Sequence, residues 1–201
     1  VEEIVVTGSR IRRDEFTSAS PIQVIDAEDL AASSVGSLDE YLQDIPAFTG
    51  FQLGASTNNG NNGVKMVDMR GLGHKRTLIL INGRRSVGSF IGGTSDVGAV
   101  DLNAIPLSMV ERVEVLKDGA STVYGSDALG GVVNIILRDQ VEGVEFAVET
   151  GTALENSDGD TRGLSILAGA SNDRGSFALN MQYFEQEEVK QAARGLSLIH
   201  I

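Results

Sequence analysis

Residues 107–138 read LSMVERVEVLKDGASTVYGSDALGGVVNIILR, and this stretch decides the fold. From 110 to 117, successive side chains alternate between two faces in a run rich in valine, which predicts a strand. Asp118-Gly119 ends that strand, because glycine adopts backbone conformations that other residues avoid. Residues 120–124 suffice for about one helical turn. The almost wholly apolar run 132–137 then predicts a second strand, buried on both faces in a small sheet.

Further motifs precede and overlap this stretch in a fixed order. They are MRGLG (69–73), RTLILINGRR (76–85), VDLNAIP (100–106), ERVEVLKDGAS (111–121), YGSDA (124–128) and GGVVNII (130–136). Together they resemble the plug domain of TonB-dependent outer-membrane receptors, and the resemblance runs from about residue 2 to 138. It implies an α/β plug domain with a small mixed sheet. The sheet is expected to use strands near 64–70, 77–82, 111–117 and 132–137.

Two short helices are predicted upstream of these strands. A short strand over 22–25 precedes Asp26 and Asp29, which have the spacing of a capping box, and Ser37 and Glu40 repeat that spacing. Pro46 ends the second helix. The apolar residues of this helix recur at i, i+3, i+4 and i+7, at Leu38, Tyr41, Leu42 and Ile45. Both helices are expected to cover the sheet.

Past residue 138 the pattern changes to alternating apolar and polar residues in three segments, 143–152, 162–170 and 176–186. Such segments of about ten residues are typical of transmembrane barrel strands, although a half-solvated antiparallel sheet has the same pattern. With a plug in front, they are predicted to be the first antiparallel strands of an incomplete transmembrane β-barrel. One face collects the apolar residues Val144, Phe146, Val148, Leu164, Ile166, Phe177, Leu179, Met181 and Tyr183.

The chain is therefore expected to have three parts: a coupling segment (1–9), a plug domain (10–139) and the start of a barrel (140–201). Plugged transporters of this kind close with about 22 strands, so the sequence is expected to be the N-terminal part of a receptor. It opens on Val-Glu-Glu without a signal peptide. A leader is expected to have been removed or to lie upstream.

The N-terminal segment Glu3-Ile4-Val5-Val6-Thr7 is short, apolar and β-branched. From the residues alone, a frayed edge strand is the simpler interpretation. The family resemblance instead implies a TonB box, the peptide that a periplasmic TonB-type energy-coupling protein grips. Such a peptide can add itself as a strand to an exposed sheet edge through backbone hydrogen bonds.

Two polar loops, 51–63 and 86–98, interrupt the plug pattern. The residues leave open whether they are simple connections or functional loops. In the family, plug loops at these places reach the extracellular apex and contact the ligand. The candidate ligand-binding residues are Asn58, Asn59, Asn61, Asn62 and Phe90.

Six charged side chains lie on or beside the predicted plug strands. A lone buried charge costs free energy, so these side chains are expected to pair. The residues leave open whether the pairs form within the plug or, as the resemblance implies, also bridge it to the barrel wall. They are Arg70, Arg84, Glu111, Arg112, Glu114 and Lys117.

Composition excludes several other classes of protein. A net charge of −12 argues against a partner nucleic acid. The chain has no cysteine and two distant histidines, so no metal site, cofactor or catalytic residue is predicted, and an enzyme is not expected. No apolar run reaches the length of a membrane helix. Gly71-Leu-Gly73 lacks the third glycine and the helix of a dinucleotide loop.

The resemblance implies energy-coupled uptake of a scarce extracellular small molecule across the outer membrane of a Gram-negative bacterium. The plug would fill the barrel lumen, and membrane lipid would surround the barrel. An iron-siderophore, cobalamin or an oligosaccharide are all possible ligands, and the sequence decides among none of them. The alternative is a signal-transducing receptor of the same family.

Overall fold

The computed structural model describes residues 22–33, 35–48, 64–88, 98–152, 159–172 and 174–187. The chain divides into two compact units, Val1–Arg138 and Asp139–Ile201.

A five-stranded mixed sheet forms the centre of the first unit. Its strands are β1 (Ile22–Asp26), β2 (Thr77–Ile81), β3 (Arg84–Arg85), β4 (Val110–Leu116) and β5 (Gly131–Leu137). They lie in the order β1-β4-β5-β2-β3. Strand β5 is parallel to β2, whereas every other neighbouring pair is antiparallel. The small mixed sheet predicted from the sequence is confirmed.

Strands β4 and β5 are buried on both faces. On one face, fully buried Val113, Val133 and Ile135 belong to the main core, which also includes apolar residues of the helices. On the other, Leu116 and Val132 join a second, smaller core. Each such side chain contributes roughly 1.5–3 kcal/mol when fully buried. This two-sided burial explains why the sequence of β5 is almost continuously apolar.

Helices α1 (Ala27–Ala32) and α2 (Leu38–Gln43) follow β1, and the single turn α3 (Ser121–Tyr124) follows β4. The apolar stripe predicted for α2 is confirmed, since Leu38, Leu42 and Ile45 are buried in the main core and Tyr41 packs against it. No helix among the described residues is long and apolar enough to cross a membrane.

The predicted capping boxes are wrong in their hydrogen bonds, although both helices begin where the boxes placed them. Neither Asp26 nor Ser37 makes a side-chain capping bond to its helix. The Glu40 carboxylate instead accepts a hydrogen bond from the amide of Gly36. The Ser37 hydroxyl accepts one from the ammonium group of Lys65, which lies on a distant segment.

The strand predicted near residues 64–70 is also wrong. Residues 64–70 form no strand, and several backbone amides of this segment form other hydrogen bonds. The Lys65 amide donates to Asp101, the Met69 amide to the Thr77 hydroxyl, and the Arg70 amide to the carbonyl of Ala47. The apolar residues of this segment reflect burial between other elements rather than strand pairing.

The sequence analysis missed the hairpin between β2 and β3. Asn82 and Gly83 occupy its turn with φ values of 49° and 73°. Positive φ at both turn residues is the geometry of a type I′ hairpin, for which Asn-Gly is a preferred sequence. The dipeptide follows directly on a buried apolar strand, so the signal was present in the sequence.

The second unit contains a three-stranded antiparallel sheet in the order β6 (Gly143–Gly151), β7 (Thr161–Asn172) and β8 (Gly175–Gln186). The three predicted segments are confirmed as strands. Their register places Phe146, Ile166 and Met181 side by side, and the remaining predicted apolar residues share that face. Ile166 is half-buried, and the other large apolar side chains on this face are exposed, from 45% for Leu164 to 73% for Val148. The opposite face carries Glu145, Ser165, Asn180 and other mostly polar or small residues.

Replacing Gly131 by alanine is expected to destabilise the first unit. Gly131 has a φ of 148°, and a Cβ there would lie 2.6 Å from the Leu116 carbonyl oxygen and 2.7 Å from the Met69 side chain. We expect a loss of about 2–4 kcal/mol in the free energy of unfolding, measured by urea denaturation. Gly175→Ala is the control, because its Cβ would meet nothing within 4 Å. Equal stability of the two variants would contradict this account of Gly131.

Removing the second sheet is expected to reduce self-association. Its apolar face is exposed, and among the described residues the outer edges of β6 and β8 have no neighbouring strand. Both features favour association in water. A chain ending after residue 139 should therefore elute as a more monomeric species than the 201-residue chain in size-exclusion chromatography at equal concentration. The triple variant Phe146→Gln, Phe177→Gln, Met181→Gln makes the apolar face more polar without removing the sheet. It should also elute as a more monomeric species than the unmodified chain. Monomeric behaviour of the unmodified chain would rule the expectation out.

Candidate functional site

A row of polar side chains crosses one face of the plug sheet. The alternation of β4 places Arg112 and Glu114 on the same face, and the register sets Asn134 of β5 opposite Glu114. The Asn134 amide nitrogen donates to Glu114 Oε2 at 3.1 Å. Arg112 Nε donates to Glu114 Oε1 at 3.2 Å. Both carboxylate oxygens of Glu114 are thereby engaged.

The row continues to the β2–β3 turn. Asn134 Oδ1 accepts a hydrogen bond of 2.9 Å from the amide of Gly83. Asn82 also lies in this turn. Its side-chain Oδ1 accepts a hydrogen bond of 2.8 Å from the main-chain amide of Leu137, and its main-chain amide donates to the carbonyl of Ile135. The hairpin turn is therefore fastened to β5 by both of its residues.

The burial of the three charges in this row differs. The Glu114 side chain is 2% exposed and that of Arg112 is 13% exposed, whereas that of Glu111, which also pairs with Arg112 at 2.9 Å, is 39% exposed. A buried carboxylate requires a compensating charge and hydrogen bonds, and Arg112 and Asn134 provide them. Glu111 neutralises the outer side of the same guanidinium group.

The other predicted charges lie elsewhere. Arg70 forms an ion pair of 3.1 Å with Asp118 and donates to the main-chain carbonyl of Lys117, beyond the end of β4. Both side chains of this pair are half-exposed, so it adds little stability. Arg84 is exposed on β3. The structure thus brings Glu111, Arg112 and Glu114 together, whereas Arg70 pairs with Asp118 instead.

The predicted TonB box (Glu3 to Thr7) and the predicted ligand-binding residues lie outside the described residues. The latter are Asn58, Asn59, Asn61, Asn62 and Phe90. Their roles, and any bridge from the six plug charges to another part of a receptor, stay predictions.

The sequence analysis also missed the ionic partners of Arg85 and Lys65. Arg85 contacts Asp127 at 2.7 Å on the surface and donates to the carbonyl of Tyr124. Lys65, inside the apolar run VKMVDM, forms a buried pair with Asp39 at 3.4 Å. A lysine in such a run is itself a signal that a partner carboxylate lies nearby, but spacing does not identify Asp39.

Tyr41 of α2 is a titratable residue whose pKa is shifted by its surroundings. Burial raises the pKa of the Tyr41 phenol, and the Asp29 carboxylate raises it further, so Tyr41 stays neutral at physiological pH. Within the described ranges, no cluster of three or more histidine, aspartate or glutamate side chains is arranged to hold a metal ion.

The sequence that forms this sheet matches the model of a known protein family. Residues 14–132 match the family model described as TonB-dependent Receptor Plug Domain. The match covers more than half of the chain, so the chain belongs to this family, and the resemblance stated from the motifs is confirmed.

Individual relatives are similar to the chain over most of its length. The vitamin B12 transporter BtuB of Vibrio cholerae is 29% identical over 189 residues, covering 87% of this chain and 28% of that protein. The siderophore receptor PirA of Pseudomonas aeruginosa is 27% identical with a TM-score of 0.59, covering 85% of this chain and 30% of its own. A mutant of the ferric enterobactin receptor PfeA of Pseudomonas aeruginosa, in complex with enterobactin, is 25% identical with a TM-score of 0.62, covering 85% and 25%. The chain therefore spans less than a third of each of these relatives.

Replacing Glu114 by alanine is expected to destabilise the plug, because Arg112 and Asn134 lose their buried acceptor. A loss of about 3 kcal/mol in the free energy of unfolding is expected, near the lower end for a broken buried ion pair. Glu111→Ala is the matched control. It removes the more exposed carboxylate from the same arginine and should cost less than about 1 kcal/mol. Urea denaturation of both variants decides the point, and similar losses would mean that burial of Glu114 is not the cause.

Proposed function

We propose that this chain is the plug and the first barrel strands of a TonB-dependent receptor in the outer membrane of a Gram-negative bacterium, which takes up a scarce extracellular ligand with energy supplied from the periplasm. The single observation that carries the proposal is the family match over 14–132, followed directly by an antiparallel sheet with one exposed apolar face. Names of the relatives, a transporter and two receptors, support transport rather than catalysis.

The dimensions of the second sheet fit a membrane role. Its strands have 9, 12 and 12 residues. A tilted transmembrane strand needs about 9–11 residues to cross the hydrocarbon layer. In the proposed receptor the face with Phe146 and Met181 meets lipid, and the face with Glu145 and Asn180 points into the lumen that holds the plug.

Small-molecule uptake requires the plug to block the lumen at rest and to rearrange on demand. β4 and β5 have an apolar core on each face, and in the proposal this packed sheet fills the lumen. In the proposal the segment Glu3 to Thr7 is the peptide that the periplasmic coupling protein binds as an added strand.

The ligand class follows the relatives. Cobalamin and iron-siderophore complexes are the first candidates because the relatives are named for vitamin B12, for siderophores and for ferric enterobactin. We place an oligosaccharide third, since none of these relatives is named for one. Cells that express the full-length receptor as their only uptake route should accumulate radiolabelled cyanocobalamin or ferric enterobactin. Accumulation should stop when a protonophore collapses the proton-motive force. Failure to accumulate any member of a panel that includes oligosaccharides would overturn the uptake proposal.

Val5→Pro is expected to abolish energised uptake in the full-length receptor. Proline removes the amide hydrogen that an added strand donates and fixes φ. Binding of the same labelled compound at the cell surface should persist, because the substitution lies in the proposed coupling segment. Val5→Thr, which keeps the amide and the β-branched shape, is the control and should transport normally. Unchanged uptake by the proline variant would show that Glu3 to Thr7 is not the coupling peptide.

A further inference from the structure

Lys65 is a buried cation at the first turn of α2. Its ammonium nitrogen lies 2.6 Å from the Ser37 hydroxyl, 3.4 Å from Asp39 Oδ1 and 3.8 Å from Glu40 Oε1. The side chains of Lys65 and Asp39 are only 7% and 2% exposed. Asp39 Oδ1 has no hydrogen-bond partner in the described part of the chain, so the nearby ammonium group is the charge that offsets its burial.

The main chain of the same residue holds a third segment. The Lys65 amide donates to Asp101 Oδ1 at 3.2 Å, and the Lys65 carbonyl accepts from the amide of Leu102 at 2.8 Å. Asp101 also accepts from the Asn103 amide, which fixes the 3₁₀ turn Leu102–Ala104. A small apolar cluster of Val64, Met66 and Ala99 packs beside these bonds. Lys65 therefore connects three parts of the chain: α2, the segment that begins at Val64 and the segment that begins at Gly98.

These two segments have a common position in the chain. Val64 directly follows the polar stretch 51–63, and Ala99 directly follows the polar stretch 86–98. The chain leaves α2 shortly before the first stretch, since only residues 44–50 separate them in the sequence. The bonds of Lys65 thus fix where the first stretch ends relative to where the second ends.

Stability alone is a poor explanation of this arrangement. Replacing a buried ion pair by apolar side chains of similar volume is often neutral or stabilising, because desolvation offsets the attraction between the charges. A methionine at position 65 would fill the same space in this apolar run. The charge instead adds specificity of position. The ammonium group reaches both Ser37 and Asp39 only when the segment that begins at Val64 lies at one place along α2.

We propose that Lys65 is a positioning residue that holds the chain at 64–66 and 99–102, immediately after the polar loops 51–63 and 86–98, against the first turn of α2. The inference rests on the proposed function, in which these loops carry the ligand-binding surface. Lys65 makes no contact with ligand in this proposal. It acts by holding Asp101 and Leu102 through its main chain while its side chain is held by Ser37 and Asp39.

The experiment compares stability with local hydrogen exchange in the full-length receptor. Lys65→Met leaves Asp39 buried without its counter-charge and should lower the melting temperature. The double variant Lys65→Met, Asp39→Leu removes both charges and should melt within about 3 °C of the parent protein. We expect peptides covering 35–43 and 98–105 to exchange about tenfold faster in the double variant despite its restored stability. A purely structural role predicts that their protection returns together with stability, and that result would overturn the proposal.

Ser37→Ala decides the point if the double variant fails to fold. Ser37 makes no capping bond to α2, so its loss removes a partner of Lys65 while leaving every charge in place. Faster exchange at 98–105 as well as at 35–43 supports the proposal, and faster exchange confined to 35–43 overturns it. The matched control is Arg85→Met, Asp127→Leu, which removes an exposed pair of the same unit. Equal acceleration at 98–105 in this control would also overturn the proposal, because the effect would then be general. The readout requires no ligand, so its failure leaves the uptake proposal untouched, and a failure of uptake leaves this measurement valid.

Discussion

The register of the plug sheet depends on the hydrogen bonds of the Asn134 side chain. It lies in the otherwise apolar strand β5, donates to Glu114 of β4 and accepts from the amide of Gly83 in the β2–β3 turn. A slip of β5 by one residue would turn this polar group into the main core beside Val113 and Val115 of β4, where an unpaired amide costs free energy. The apolar residues supply most of the stabilisation, but they tolerate several registers. The row of Arg112, Glu114 and Asn134 selects one.

The elements that the sequence predicted correctly are those whose pattern is local. Each of three local patterns correctly predicted burial: the alternation in β4, the apolar run of β5 and the apolar stripe on α2. Residues 64–70 show the limit of that inference, because Met66, Val67 and Met69 are buried without any strand pairing. Strand β3 has only two residues, both arginine, so no hydrophobic pattern predicts it. The Asn82-Gly83 dipeptide does predict the turn that precedes it.

The same distinction applies to the charged side chains. Arg112 and Glu114 are two residues apart on one strand, so their proximity follows from strand geometry. Asn134, Asp118 and Asp39 are the partners of Glu114, Arg70 and Lys65. Strand register and tertiary packing bring these pairs together, and the spacing of residues in the sequence does not identify them. The residues of the proposed coupling peptide and ligand loops were named from family resemblance, and the structure describes neither group. The plug charges are thus the part of the site for which sequence and geometry can be compared.

The position of β1 in the sheet has a consequence for the course of folding. Ile22 pairs with Leu116, more than ninety residues later in the chain, whereas β4 and β5 are separated only by residues 117–130. The entropy lost on closing a loop rises with its length, and pairings between distant segments slow folding. The β2–β3 hairpin closes a shorter loop, but β3 has only two residues. Among the longer strands, the antiparallel β4–β5 pair therefore has the lowest closure cost, and β1 has the highest. The ribosome makes the N-terminal strand first, yet that strand has no neighbour to pair with until most of the plug has been synthesised.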